Sequence, residues 1–199
     1  YGHLNGVKAV RETVEGAAEI GIKYLTLYAF SQENWERPKK EIKGLMNLLI
    51  KTIKKEIPTL MKNNIKLNVI GNIKELPNKC QKNLKEAIEK TKKNNHMTLI
   101  LALSYGARWE IVEAVKKIIK INHDYSEINE NLFCKYLNTN EIPDPELVIR
   151  TSGEYRISNF LLWQIAYSEL YFSEKLWPDF NKKDLNQAIS DFKKRKRRF

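Results

Sequence analysis

Apolar residues recur along the chain in two patterns, a helical spacing of three or four residues and short, nearly continuous apolar runs. The helical spacing places Val7, Val10 and Val14 on one face of a first helix, which Gly21 ends. A long amphipathic helix has the next apolar face of this kind, and three further helices follow it. These four predicted helices cover residues 42–57, 77–93, 108–120 and 183–194.

Short β-rich runs separate the predicted helices. Residues 97–103 are nearly all apolar, which is typical of a strand buried on both faces. Because strands alternate with helices, the pattern predicts βαβ units and a parallel sheet. In such a sheet ligands bind beyond the carboxyl ends of the strands, so the loops there are the candidate sites. Further strands are predicted over residues 24–30, 66–71, 146–150 and 169–172.

The chain of 199 residues has no repeat and no Pro/Gly-rich linker, which predicts one domain over residues 1–199. No apolar run approaches the roughly 20 residues of a membrane span. The first residues also lack the apolar segment of a signal peptide. Cys80 and Cys134 lie far apart, which predicts two reduced thiols in a cytoplasmic protein.

Basic residues exceed acidic ones by 35 to 24, which gives a formal net charge of +11. This excess indicates an anionic partner, such as nucleic acid, a membrane surface or phosphorylated metabolites. A nucleic-acid-binding α/β domain is therefore one hypothesis. Against it, the sequence offers no identifiable stacking platform or groove-reading helix.

Two of the predicted strands are followed by polar loops with aromatic residues. In the loop at residues 31–38, Trp35 can wall an apolar substrate and Arg37 can bind its phosphate in bidentate fashion. An ordinary loop that caps the next helix explains this segment about as well. The loop after residue 103 contains Ser104 and Gly106, and there a structural role is favoured.

Two arginines and a serine surround a glycine after the strand predicted over residues 146–150. Arginines at a strand's carboxyl end need an anion when they are buried, and a diphosphate would supply one to Arg150 and Arg156. Ser158 would donate a further hydrogen bond. Glu169 lies in an apolar segment, where either Mg²⁺ bridging to phosphates or a salt bridge to an arginine would satisfy its charge.

Several blocks of sequence resemble the cis-prenyltransferase family, and together they cover essentially the whole chain. The longest block, residues 144–172, is the most specific of them. The other blocks are Gly2-His3-x-x-Gly6, Tyr28-Ala-Phe-Ser-x-Glu-Asn-Trp-x-Arg-Pro38, Ser104-Tyr-Gly-x-Arg108, Trp177-Pro-Asp-Phe180 and Arg195-x-Arg-Arg-Phe199.

This resemblance implies a Rossmann-like α/β fold with a single parallel sheet flanked by helices. It implies a Mg²⁺-dependent transferase that condenses isopentenyl diphosphate onto an allylic diphosphate, expected to be farnesyl diphosphate, with cis double bonds. The expected product is undecaprenyl diphosphate for the cell-wall lipid carrier. A cytoplasmic homodimer with peripheral membrane contact during product release is also implied. The alternative is an inactive partner subunit of the same fold, against which the presence of Asn34, Arg37 and Arg150 argues.

The resemblance also assigns roles to individual residues. Asn34 resembles the family's proton acceptor, although a neutral amide is better suited to orient the alkene and relay the proton through Ser31 or the diphosphate. Glu169 resembles a metal ligand reached across the dimer interface, and Tyr155 stands where some members have a metal-binding His. The implied substrate-binding residues are His3, Ser31, Gln32, Glu33, Trp35, Arg37, Arg150, Arg156, Ile157 and Ser158.

One part of the family pattern is not in this sequence. The family's first strand and its Asp-Gly-Asn-Gly-Arg-Trp loop would lie just upstream of His3, and we expect the natural protein to contain them. In the family that Asp is the principal Mg²⁺ ligand, and the glycine loop holds the allylic diphosphate on backbone amides. Without the strand, unpaired edges are expected on two neighbouring strands.

Overall fold

The computed structural model describes residues 2–121 and 124–196, with side chains from residue 6 onward. Helices and strands alternate over residues 2–120 as the apolar spacing predicts, whereas no described helix separates the last two strands. A 3-10 helix, Gln32–Glu36, follows the first strand. The main elements are α1 (Gly2–Glu19), β1 (Tyr24–Ser31), α2 (Lys39–Lys62), β2 (Ile65–Ile70), α3 (Asn78–Thr91), β3 (Met97–Tyr105), α4 (Ala107–Lys120), α5 (Glu130–Cys134), β4 (Leu147–Arg150), β5 (Glu169–Phe172) and α6 (Lys182–Lys194).

All strand pairs within the described residues are parallel, which confirms the predicted α/β architecture. The first three strands form a sheet in the order β1-β3-β2, with Leu99 of β3 opposite Leu25 and Leu67. β4 and β5 form a second ladder, in which Leu147 lies opposite Glu169. Within the described residues the strands thus form two separate ladders, where the sequence predicts a single sheet.

β3 is the centre of the core. Leu99 and Leu103 belong to the apolar cluster that α1, α2 and α3 cover, whereas Ile100 and Ala102 belong to a second cluster that contains Leu161. The two sets of residues alternate along β3, so they point to opposite faces of the sheet. The predicted burial of this strand on both faces is confirmed.

The structure extends the predicted elements at several ends. β3 runs on through two residues beyond the predicted end at residue 103, and both of them are fully buried. α2 begins directly after Pro38, whose fixed φ suits the start of a helix. α5, which begins after the capping residue Asn129, was not predicted because a helix of five residues is too short to show an apolar period.

Both cysteines are free thiols. Cys80 is fully buried, and this burial raises the pKa of its thiol to about 11. Cys134 lies at the end of α5, where its sulfur accepts a hydrogen bond from the indole of Trp163 at 3.2 Å. Within the described ranges no helix is both long and apolar enough to cross a lipid bilayer.

Candidate functional site

The loop after β1 is fixed by a hydrogen bond inside its own turn. The backbone N–H of Ser31 donates to the side-chain oxygen of Asn34 at 3.0 Å. This contact holds the Asn34 carboxamide over the end of β1, next to the other predicted substrate-binding residues of the loop. Gln32 lies beside them, with its Cγ 3.7 Å from the position that a Cβ on Gly106 would occupy.

Trp35 anchors this loop to the core. Its indole N–H donates to the buried hydroxyl of Ser104 at 2.8 Å, and its ring meets Phe30 edge-on with a centroid distance of 4.8 Å. Ser104 in turn donates to the carboxylate of Glu75. The structural interpretation of Ser104 is therefore supported. Trp35 has a structural contact of its own, whereas its predicted contact with substrate stays a prediction.

Asn159, which sequence reasoning did not single out, joins three segments at the carboxyl ends of the strands. Its side-chain N–H donates to Glu33 at 2.8 Å, and its side-chain oxygen accepts from the backbone N–H of Arg108 at 2.9 Å. Its backbone oxygen accepts from the N–H of Ala107 at 2.8 Å. Burial raises the pKa of Glu33, but hydrogen bonds, led by the one from Asn159, outweigh that effect and the pKa is lowered.

The segment after Asn159 is held by a buried polar network. Glu110 of α4 is fully buried and accepts hydrogen bonds from the hydroxyl of Tyr105 at 2.5 Å and from the amide of Gln164 at 3.0 Å. Phe160 stacks on Tyr28 of β1, with a centroid distance of 4.6 Å. These contacts place the loop after β4 against the ends of β1 and β3.

Left-handed backbone is concentrated at the end of β3 and in the loop after β4. Of the six non-glycine residues with positive φ within the described ranges, only Asn64 lies elsewhere. Such residues cost of order 1–3 kcal/mol each and cluster at sites where the surrounding structure determines the backbone. The five residues at the candidate site are Ser104 (φ 47°), Ser152 (φ 72°), Ser158 (φ 54°), Asn159 (φ 60°) and Leu161 (φ 47°).

Arg150 has an unsatisfied donor at the end of β4. Its Nε atom is buried and has no hydrogen-bond partner among the described residues. Buried guanidinium groups are normally paired, because an unpartnered donor loses its hydration without compensation. Arg150 as a whole is half-buried, and its anion-binding role stays a prediction.

The other predicted cations have partners that an anion can replace. Arg156 pairs with Glu154, yet 68% of its side chain is exposed. Arg37 pairs with Glu41 at 2.8 Å, and 47% of its side chain is exposed. Exposed pairs of this kind contribute only about 0–1 kcal/mol, so little stability would be lost if an anion took the place of the carboxylate. Ser158 is also exposed, and Ile157 is half-buried.

Glu169 forms the salt bridge that the sequence left as the alternative to a metal. Its carboxylate accepts from Arg195 at 2.8 Å, and Arg195 also donates to Asp191 at 2.7 Å. These hydrogen bonds raise the pKa of Arg195, and the one that it donates to Glu169 has the largest effect. In this structure Arg195 therefore binds two carboxylates of its own chain.

The Mg²⁺ interpretation of Glu169 depends on ligands from outside the chain. In the part of the chain that the structure describes, no three His, Cys, Asp or Glu side chains form a metal-binding cluster. Mg²⁺ is commonly held by one or two carboxylates together with substrate phosphates, and a lone Glu169 suits such a shared site. Tyr155 donates to Glu174 at 2.5 Å instead of offering an imidazole. The side chain of His3 lies outside the described residues.

Comparisons with known proteins place the chain in a defined group. The family model described as "Putative undecaprenyl diphosphate synthase" matches residues 1–199. The chain is 52% identical to the isoprenyl transferase of Chlorobaculum tepidum, over 100% of this chain and 76% of that protein. It is 50% identical to the ditrans,polycis-undecaprenyl-diphosphate synthase ((2E,6E)-farnesyl-diphosphate specific) of Pasteurella multocida, over 100% of this chain and 85% of that protein.

A solved structure has the same fold. The crystal structure of lavandulyl diphosphate synthase from Lavandula x intermedia, in complex with dimethylallyl diphosphate, matches with a TM-score of 0.94 and 35% sequence identity. The match covers 98% of this chain and 86% of that chain.

Proposed function

The chain belongs to the undecaprenyl diphosphate synthase family of prenyltransferases, and we propose that it joins isopentenyl diphosphate to an allylic diphosphate with a cis double bond. Farnesyl diphosphate is the proposed allylic substrate, because a relative 50% identical to this chain is named as specific for it. The observation that carries the proposal is the buried, unpartnered Nε of Arg150 beside a loop with a second arginine and a serine.

In the proposed reaction, the diphosphate of isopentenyl diphosphate binds to Arg150, Arg156 and Ser158. The alkene of this substrate attacks the allylic carbon, and the bond from that carbon to its diphosphate oxygen breaks. The diphosphate leaves with the bonding electrons, and the new unit loses a proton to form the double bond. Held beside Ser31, Asn34 orients the alkene and passes the proton toward Ser31 or a diphosphate oxygen.

Stabilising the departing diphosphate is the main electrostatic demand of this reaction. Mg²⁺ would supply that stabilisation, and Glu169 is the described carboxylate proposed to hold it. To serve in this way, Glu169 would have to release Arg195. The guanidinium of Arg195 then becomes available to a phosphate oxygen.

Changing Glu169 to Gln is expected to raise the Mg²⁺ concentration for half-maximal activity about tenfold or more, since a charged ligand is lost. Asp191→Asn is the matched control, because Asp191 is the other carboxylate bound to Arg195. A metal titration of both variants separates the two roles of Glu169. Equal Mg²⁺ requirements for E169Q and D191N would show that Glu169 acts only as an ion-pair partner.

The proposed activity is tested by incubating the full-length protein with radiolabelled isopentenyl diphosphate, farnesyl diphosphate and Mg²⁺, followed by chromatography of the products. We expect incorporation of label into a polyprenyl diphosphate of undecaprenyl length. The same assay with dimethylallyl diphosphate tests the choice of allylic substrate. Failure to incorporate label with either substrate would favour the inactive partner subunit.

We propose a cytoplasmic homodimer that contacts the membrane peripherally when it releases product for the cell-wall lipid carrier. The formal net charge of +11 suits anionic substrates and an anionic membrane surface. Since the proposed substrates are anionic, no nucleic-acid partner is proposed.

A further inference from the structure

We propose that Asn159 is a positioning residue that sets the spacing between the isopentenyl diphosphate site and the loop that carries Asn34. This inference rests on the proposed function and adds to it a residue that does not contact the reacting atoms. Three hydrogen bonds of Asn159, to Glu33, Arg108 and Ala107, connect the segments after β1, β3 and β4.

The two ends of this connection lie next to the residues that handle substrate. Asn159 directly follows Ser158, the proposed donor to the diphosphate of isopentenyl diphosphate. Glu33 directly precedes Asn34, which is proposed to orient the alkene of the same substrate. The hydrogen bond of 2.8 Å from Asn159 to Glu33 therefore joins the chain neighbour of Ser158 to the chain neighbour of Asn34.

Asparagine is the side chain that this place requires. Its amide must donate to Glu33, while its oxygen must accept from the backbone N–H of Arg108 in the first turn of α4. Together with the bond from Ala107 to its backbone oxygen, this contact satisfies two N–H groups that the helix itself leaves unpaired. Its φ of 60° is also left-handed, and asparagine tolerates that conformation better than most residues.

The absence of a side chain at Gly106 supports the same geometry. A Cβ at Gly106 would lie 2.9 Å from the side-chain nitrogen of Asn159, which is closer than real Cβ contacts allow. Since that nitrogen is held by Glu33, it cannot move aside without breaking the bond. A Gly106→Ala change is therefore expected to displace the Asn159 amide and to resemble the loss of the Asn159–Glu33 bond.

Asn159→Asp is the variant that removes this bond selectively. Aspartate keeps an acceptor for the N–H of Arg108 and tolerates the left-handed backbone, but it opposes Glu33 with a second carboxylate. Because the substrate's reacting end would be misplaced while its diphosphate still binds, kcat should fall by about 30- to 100-fold with a smaller change in the KM for isopentenyl diphosphate. Thermal unfolding of N159D checks that the fold is intact.

A double-mutant cycle with Glu33→Gln gives the decisive measurement. In the double variant the glutamine amide can donate to the new aspartate, so N159D should cost no more than about threefold in kcat when E33Q is already present. The loss of kcat is measured between N159D and wild type, and again between the double variant and E33Q. Each comparison changes only residue 159, so any effect of E33Q alone cancels. Equal losses from N159D in both backgrounds, or no loss from N159D in an active wild type, overturn the inference alone. An inactive wild type overturns the proposed function and this inference with it.

Discussion

Replacing Arg150 with alanine is expected to raise the KM for isopentenyl diphosphate by two to three orders of magnitude. Arg150 lies at the end of β4 with an Nε that has no partner among the described residues, so we expect its guanidinium to donate hydrogen bonds to the diphosphate. Truncating one member of a buried, hydrogen-bonded charge pair costs about 2–5 kcal/mol, and each 1.4 kcal/mol is about a tenfold change in affinity. Steady-state kinetics with isopentenyl diphosphate varied and the allylic substrate held saturating measure the effect.

Two further variants show what part of the arginine is needed. Arg150→Lys keeps the charge but loses the planar, forked donor, and an intermediate KM is expected. Arg11→Ala removes another arginine, which pairs with Glu56 on α2, so it should affect stability and leave this KM unchanged. An R150A protein that is folded and has the wild-type KM would exclude Arg150 from the diphosphate site.

Changing Gly71 to alanine is expected to lower the free energy of unfolding by about 3 kcal/mol or more. A Cβ at Gly71 would lie 2.0 Å from the carbonyl oxygen of Leu103, and its φ of 113° is unfavourable for any residue with a side chain. Relief would require β2 and β3 to separate where the site's loops begin. For a chain of this size the midpoint of thermal unfolding should fall by roughly 6–12 °C.

Gly44 provides the matched glycine for this measurement. It lies within α2, is exposed, and a Cβ there would meet nothing within 4 Å. Gly44→Ala should therefore stabilise the protein by about 0.5–1 kcal/mol, because alanine loses less conformational freedom in a helix. We expect the midpoint of thermal unfolding to fall in G71A and to rise in G44A. A G71A midpoint equal to that of wild type would contradict the close contact seen between the strands.

The sheet was predictable because its central strand has an unambiguous pattern. Residues 97–103 are too apolar to be half-exposed and too short for a membrane span, which leaves a strand covered on both faces. The helices were also predictable, because the apolar residues of each recur at the spacing of one helical face. α5 was missed because its five residues carry no period, although the capping side chain of Asn129 marks its start.

Candidate site residues could be identified from the sequence where a single residue is unusual for its position. They were harder to identify where their role depends on a contact with a distant residue. Arg150 stands out because a cation at a strand's end is poorly explained by packing. The partner of Glu169 is Arg195, which lies 26 residues away along the chain, and only the folded structure brings the two together. Asn159 was overlooked because asparagine in a polar loop is ordinary, and its three contacts are visible only in three dimensions.

The left-handed residues of the loop after β4 have a consequence for how fast a ligand can bind. Ser158, Asn159 and Leu161 hold a strained backbone that the neighbouring strands and α4 determine, so the loop is already ordered before a diphosphate arrives. A segment that is rigid in advance loses little conformational entropy on complex formation. We therefore expect association to be limited by diffusion and electrostatic attraction, with no slow folding of the loop around its ligand.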